Sequence, residues 1–231
     1  MMKLSSKFKI ILLFSIAFLQ SCSNSSENPD FPVRELDAKN DSPIIFYLSG
    51  DAGFNTFSKS LSDELFKRNY DITALDSKSY FWKPKTPTET TNKISEYLNE
   101  KLKGRKNQKI ILLGYSFGAD VLPFIVNKLP QNLHQKIVSV ILLDPSKTAD
   151  FEVSLQGMIL DKARGDYEVL PEINKMKVPK TFAILSDIGI KFPVKKVIIP
   201  NFTTSHLPGN HRFNYEYNKL ANLISQNIQS K

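Results

Sequence analysis

Lys109 to Leu113 is an apolar run that leads without a break into Gly114-Tyr115-Ser116-Phe117-Gly118, and the residues after it, Ala119 to Asn127, have helical spacing. A strand, a sharp turn and a helix joined this tightly leave a chain few ways to fold. Glycines two positions before and two after the serine remove the side chains that would hold strand and helix apart. The turn between them presents the serine hydroxyl at the carboxyl end of the strand. G-x-S-x-G in this setting makes Ser116 the candidate nucleophile.

The rest of the chain repeats the same alternation. Short apolar runs, Pro43 to Leu48, Tyr70 to Leu75, Ile137 to Leu143, Lys180 to Leu185 and Lys195 to Ile199, lack the in–out pattern of half-exposed strands and read as strands buried on both faces. Helical segments fall between or after them at Phe57 to Lys67, Thr86 to Leu102, Phe117 to Leu129 and Tyr215 to Ile228. Strands alternating with helices imply right-handed crossovers and a mostly parallel central sheet flanked by helices on both faces. With the serine turn, this predicts the α/β-hydrolase fold for residues 42–231, with at most a small lid between Pro145 and Pro179.

Residues 1–21 read as a signal peptide: Lys3, Lys7 and Lys9 precede an apolar stretch from Ile10 to Leu19, too short to span a bilayer comfortably. The stretch ends in Leu19-Gln20-Ser21-Cys22, which resembles a lipobox, so Cys22 is expected to be lipidated and to become the mature N-terminus. Residues 22–41 are polar and read as a tether, with a short edge strand possible between Phe31 and Leu36. These features predict a membrane-anchored lipoprotein of the periplasm or cell envelope. Cys22 is the only cysteine, so its acylation leaves no thiol for a disulfide, a metal or catalysis. Without the three leading lysines the chain keeps 28 basic and 23 acidic residues, a moderate excess that suits an anionic membrane surface. No basic run interleaved with aromatics and no recognised module points to nucleic acid.

A serine nucleophile needs a base within hydrogen-bond reach and a carboxylate to orient that base, which in this fold follow in the order Ser, Asp/Glu, His. His206 and His211 both come after the Lys195 to Ile199 run; His211, in the turn Pro208-Gly209-Asn210-His211, is favoured as the base. Asp187, just past Phe182 to Leu185, is the favoured acid, and Asp144, closing Leu142-Leu143-Asp144-Pro145, is the alternative. Oxyanion donors are expected from the backbone N–H of Phe117 and of Asp51 or Ala52, in the loop Ser49-Gly50-Asp51-Ala52-Gly53-Phe54. The chemistry calls for no metal and no cofactor.

Taken together, Leu48 to Phe54, Asp76 with Tyr80-Phe81-Trp82, Lys85-Thr86-Pro87, Gly114 to Pro123, Ala149-Asp150-Phe151-Glu152 and Leu207-Pro208-Gly209-Asn210-His211 resemble the bacterial virulence proteins VirJ and AcvB, from about Phe31 onward. The resemblance implies an exported α/β-hydrolase with Ser116 and His211 as nucleophile and base. It also implies a membrane-lipid substrate, an aminoacyl ester of phosphatidylglycerol such as the lysyl ester. A cationic aminoacyl group would be met by Tyr80, Trp82, Asp150 and Glu152, through aromatic faces or opposite charge. The chain departs from the family just after the base, with Arg212 and Asn214 where a histidine and an aspartate are usual, and it carries fewer carboxylates around Asp187. The resemblance also leaves open a non-catalytic periplasmic interaction protein with secretion-system components as partners.

Overall fold

The computed structural model describes residues 25–26, 30–154 and 165–229. Residues 1–21, read as a signal peptide, and Cys22, the expected lipidation site, lie outside the described residues. In chain order the elements are β1 (Ser25–Ser26), β2 (Val33–Leu36), β3 (Ile44–Leu48), α1 (Thr56–Phe66), β4 (Asp71–Leu75), α2 (Ser77–Tyr80), α3 (Pro87–Leu102), β5 (Ile110–Tyr115), α4 (Phe117–Lys128), α5 (Gln131–His134) and β6 (Ile137–Leu143). There follow β7 (Thr148–Ala149), β8 (Tyr167–Glu168), α6 (Val169–Ile173), β9 (Thr181–Leu185), β10 (Phe202–His206) and α7 (Tyr217–Gln229).

The main sheet has the order β1-β2-β4-β3-β5-β6-β9-β10. From β4 to β10 neighbouring strands are parallel, while β2 and β1 add an antiparallel edge. Side chains alternate along each strand between two separate cores. Ile44, Phe46 and Leu48 of β3 face α3, α4 and α6, while Ile45 and Tyr47 face α1 and α7. A strand covered on both sides must be apolar at every position, which is why these runs carry no alternation.

The helices begin where the sequence supplies caps. Asn55 accepts from Ser58 N–H at the start of α1, and Thr86 and Glu89 bond each other's backbone ahead of Pro87 in a capping box at the start of α3. Among the described residues, no helix is long and apolar enough to cross a membrane.

Two features depart from the sequence-based expectation. Lys195 to Ile199 is not a strand: Val194–Lys196 form a 3-10 turn, and Ile198 is 79% exposed. Pro193 and Pro200 flank this run, and neither has an N–H to give to a ladder. The last strand is β10, whose Thr203 and Thr204 face solvent at the sheet edge, so it lacks the apolar signature of a covered strand. The other departure lies within the segment read as a tether. There Phe31 and Val33 are buried and Val33–Leu36 form the edge strand expected between Phe31 and Leu36, paired with β4, so the packed body begins about ten residues before residue 42.

The first turn of α4 is pressed onto the end of β3. A Cβ on Gly118 would lie 2.2 Å from the Leu48 carbonyl oxygen, a backbone atom that cannot swing away. Gly118→Ala is therefore expected to destabilise the fold by about 1–3 kcal/mol, read as a lower urea midpoint at unchanged slope.

Candidate active site

The site is assembled from the carboxyl ends of β5 and β6 and from the loop between β10 and α7. Ser116 follows β5 directly and takes φ 52°, ψ −120°, a left-handed bend between strand and helix. Its N–H donates to the Leu143 carbonyl at 2.9 Å, and its own carbonyl accepts from Asp120 N–H at 3.0 Å. A Cβ on Gly114 would stand 2.5 Å from the Gly118 carbonyl oxygen, so the close strand-to-helix approach inferred from the two glycines is present.

His211 lies between Ser116 and a carboxylate. Its Nε2 is 2.7 Å from Ser116 Oγ, and its Nδ1 is 3.0 Å from Asp144 Oδ2. Asp144, at φ 49° just after β6, is buried and also accepts from the Ser186 N–H at 2.6 Å and the Ser186 hydroxyl at 2.5 Å. Tyr115 supports the imidazole from below: its hydroxyl donates to the His211 carbonyl at 3.0 Å and its ring stacks on the imidazole at 5.3 Å. Burial pushes the Tyr115 phenol well above its ordinary range, so it stays a donor.

Asp187, favoured from the sequence as the acid, does not meet His211. It bonds His206 Nε2 at 2.8 Å and the Gly209 N–H at 2.9 Å. The strand registers explain the exchange. Tyr115 pairs with Leu143, which places Ser116 and Asp144 side by side one residue beyond the ladder. Leu185 pairs with His206, so Asp187 emerges towards β10, on the far side of β9 from Ser116. Asp144, the alternative, is the carboxylate brought to the imidazole.

A cleft of about 600 Å³ opens over these groups. Phe117 and Asp51, both oxyanion candidates, line it beside Ser116 and His211. Ala52 is exposed next to Asp51. As the first residue of α4, Phe117 has an N–H without an intrahelical acceptor. Asp150 and Glu152 also line the cleft, as do Lys147 and Lys191.

Tyr80 and Trp82 do not line the cleft. They border a separate depression with Lys83 and Lys85, and Lys85 Nζ already sits 4.8 Å over the Tyr80 ring. Phe81, between Tyr80 and Trp82 in sequence, is buried and packs on Phe117 and Phe151 behind the cleft wall. The segment from Pro145 to Pro179, read from the sequence as a candidate lid, supplies β7, β8, α6 and one wall of the cleft; residues 155–164 lie outside the described residues.

A family model for bacterial virulence protein (VirJ) matches residues 41–231. The chain belongs to this VirJ family. No curated protein matches the chain. Among solved structures it is similar to MenH from S. aureus, with a TM-score of 0.65, 15% identity and coverage of 85% of this chain and 97% of the other. It is also similar to a lipase-esterase related protein from Clostridium acetobutylicum, with a TM-score of 0.64, 13% identity and coverage of 86% and 99%. For Est1E from Butyrivibrio proteoclasticus the TM-score is 0.60, with 13% identity and coverage of 87% and 95%. This VirJ-family chain thus has the α/β-hydrolase fold that the alternation of strands and helices predicts.

Asp120, one turn into α4, belongs in the sequence to the serine motif alone, yet in the structure it forms part of the cleft wall and is buried. Its position four residues after Ser116 is the one signal the sequence offers for this. Burial pushes its carboxyl up to about 8; hydrogen bonds from Ser146 pull it back and the Asp51 charge raises it further. A carboxyl raised this far keeps its proton in the folded state between about pH 4 and about pH 8, where the unfolded chain has lost it, so stability falls as pH rises through that window. Asp120→Asn is expected to remove this slope. Urea unfolding should find the variant more stable than wild type at pH 8, with the gap closing towards pH 5.

Proposed function

We propose that this chain is an exported serine ester hydrolase acting on aminoacylated phospholipid esters of the lysyl-phosphatidylglycerol kind. The observation that carries the catalytic part is the continuous path from Ser116 Oγ through His211 to Asp144, with contacts of 2.7 and 3.0 Å. In this reading His211 Nε2 takes the hydroxyl proton as Ser116 Oγ attacks the acyl carbonyl, and Asp144 holds the imidazole by its Nδ1–H and balances the imidazolium. His211 then returns the proton to the leaving alcohol. Water, activated by the same imidazole, releases the acyl group from Ser116. The N–H groups of Phe117 and of Asp51 or Ala52 serve the oxyanion.

The names of similar structures, a lipase-esterase related protein and the esterase Est1E among them, support ester hydrolysis. For the substrate, the supporting features are the resemblance to AcvB and a cleft lined by both signs of charge. Carboxyls of Asp51, Asp120, Asp150 and Glu152 suit the ammonium groups of an aminoacyl moiety, and Lys147 and Lys191 suit a phosphate. Lipidation at Cys22 would hold this cleft close to its lipid at the outer side of the cytoplasmic membrane or in the envelope.

Purified full-length chain is expected to turn over p-nitrophenyl acetate, with Ser116→Ala lowering kcat by about 10⁶-fold and Asp144→Asn by about 10⁴-fold. Equal turnover in wild type and Ser116→Ala removes the serine from the mechanism, and no turnover in either favours a binding role in secretion. Vesicles containing lysyl-phosphatidylglycerol are expected to release free lysine with wild type and not with Ser116→Ala. An unchanged lipid profile alongside ester turnover would leave the hydrolase and discard this substrate.

A further inference from the structure

Asp187 stands outside the chain of contacts from Ser116 to Asp144, yet three hydrogen bonds gather on it. Its Oδ2 accepts from the Gly209 N–H at 2.9 Å, its own N–H donates to the Gly209 carbonyl at 3.0 Å, and its Oδ1 lies 2.8 Å from His206 Nε2. Gly209 is thereby held through both of its backbone polar groups, two residues before His211.

This point of attachment matters mechanically because the backbone just beyond the imidazole is strained. Phe213, Asn214 and Tyr215 all take left-handed backbone conformations, with φ of 50°, 50° and 61°. Residues with side chains are sterically disfavoured in that conformation and rarely adopt it consecutively. Such a turn persists only where its surroundings fix it on both sides. Downstream it is fixed by buried Phe213 and by Asn214, whose side-chain oxygen accepts from the Asn210 N–H at 3.0 Å. Upstream it is fixed by Gly209 on Asp187 and by the His211 carbonyl, which accepts from the Tyr115 hydroxyl at 3.0 Å.

We infer that Asp187 is a positioning residue: acting through Gly209 and His206, it holds the β10–α7 loop so that His211 Nε2 stays within hydrogen-bond reach of Ser116. The inference rests on the reading of Ser116 and His211 as nucleophile and base. It gives the carboxylate at the end of β9 a task distinct from that of Asp144, which contacts the imidazole itself.

In the full-length chain, Asp187→Ala is expected to lower kcat for p-nitrophenyl acetate by about 10- to 10²-fold with KM changed by less than about twofold, the signature of a displaced base. Asp187→Asn keeps an oxygen for the Gly209 N–H and should restore kcat to within about threefold of wild type. A readout independent of turnover is the downfield proton resonance of His211 Nδ1–H, expected in wild type and Asp187→Asn and broadened or lost in Asp187→Ala. Wild-type kcat in Asp187→Ala overturns the inference, as does an unchanged resonance in that variant or an Asp187→Asn as slow as Asp187→Ala. A loss in Asp187→Asn as deep as that of Asp144→Asn also overturns it, by making Asp187 the orienting acid. If wild type turns over no ester, the hydrolase reading fails and the resonance alone decides the positioning role.

Discussion

Two parallel strands that end level with one another govern the geometry of the cleft. Tyr115 pairs with Leu143, so the next residues, Ser116 and Asp144, leave the sheet side by side, on neighbouring strands roughly 4.8 Å apart. Each then bends at positive φ, 52° and 49°, which turns the chain abruptly away from the strand direction. The bends are held by the sheet itself: Ser116 N–H donates to Leu143 and Asp144 N–H to Ile184. A hydroxyl and a carboxylate placed in this way by backbone hydrogen bonds need only one imidazole to connect them.

Burying a carboxylate is expensive unless donors surround it. Around Asp144 they come from two directions, the Ser186 N–H and hydroxyl from beyond β9 and the His211 imidazole from the loop after β10. Because β9 is in register with β6, the serine donors are as rigidly placed as the acid. Room for this packing is made by Gly189, where a Cβ would stand 1.8 Å from Asp144 Oδ1. The loop bearing His211 follows the edge strand β10 and is tied down separately, by Tyr115 beneath the imidazole and by Asp187 at Gly209.

The fold is legible in the sequence because its dominant signals are local. Apolar runs without alternation mark strands covered on both faces, the Thr86-Pro87-Thr88-Glu89 box marks the start of α3, and the glycines around Ser116 mark a close approach that the backbone distances bear out. What cannot be read there depends on register and on partners far away in the chain. Asp144 and Asp187 each follow an apolar strand, and only the pairing of β6 with both β5 and β9 places one beside Ser116 and turns the other towards β10. Lys195 to Ile199 carries a strand's composition but lies between two prolines, while Phe202–His206 carries an edge strand's mixed polarity. Tyr80 and Trp82 border a separate depression, while Phe81 between them packs on Phe117, a residue of the cleft.

Asp120 connects the two halves of the site. It lies in the first turn of α4, four residues after the proposed nucleophile, and its carboxyl accepts from Ser146 N–H at 2.5 Å, two residues after the proposed acid. Removal from water is the main reason its ionisation is opposed, and Asp51 on the same cleft adds to that opposition. A cationic group entering the cleft would relieve both effects, offering a counter-charge where solvent has been excluded. By linkage, the same carboxyl that gives up its proton more readily beside a bound cation must hold that cation more tightly when ionised. Asp120 itself would then be anionic chiefly when a cation is bound, which suits the proposed aminoacyl substrate and leaves no uncompensated buried charge at this position in the empty cleft.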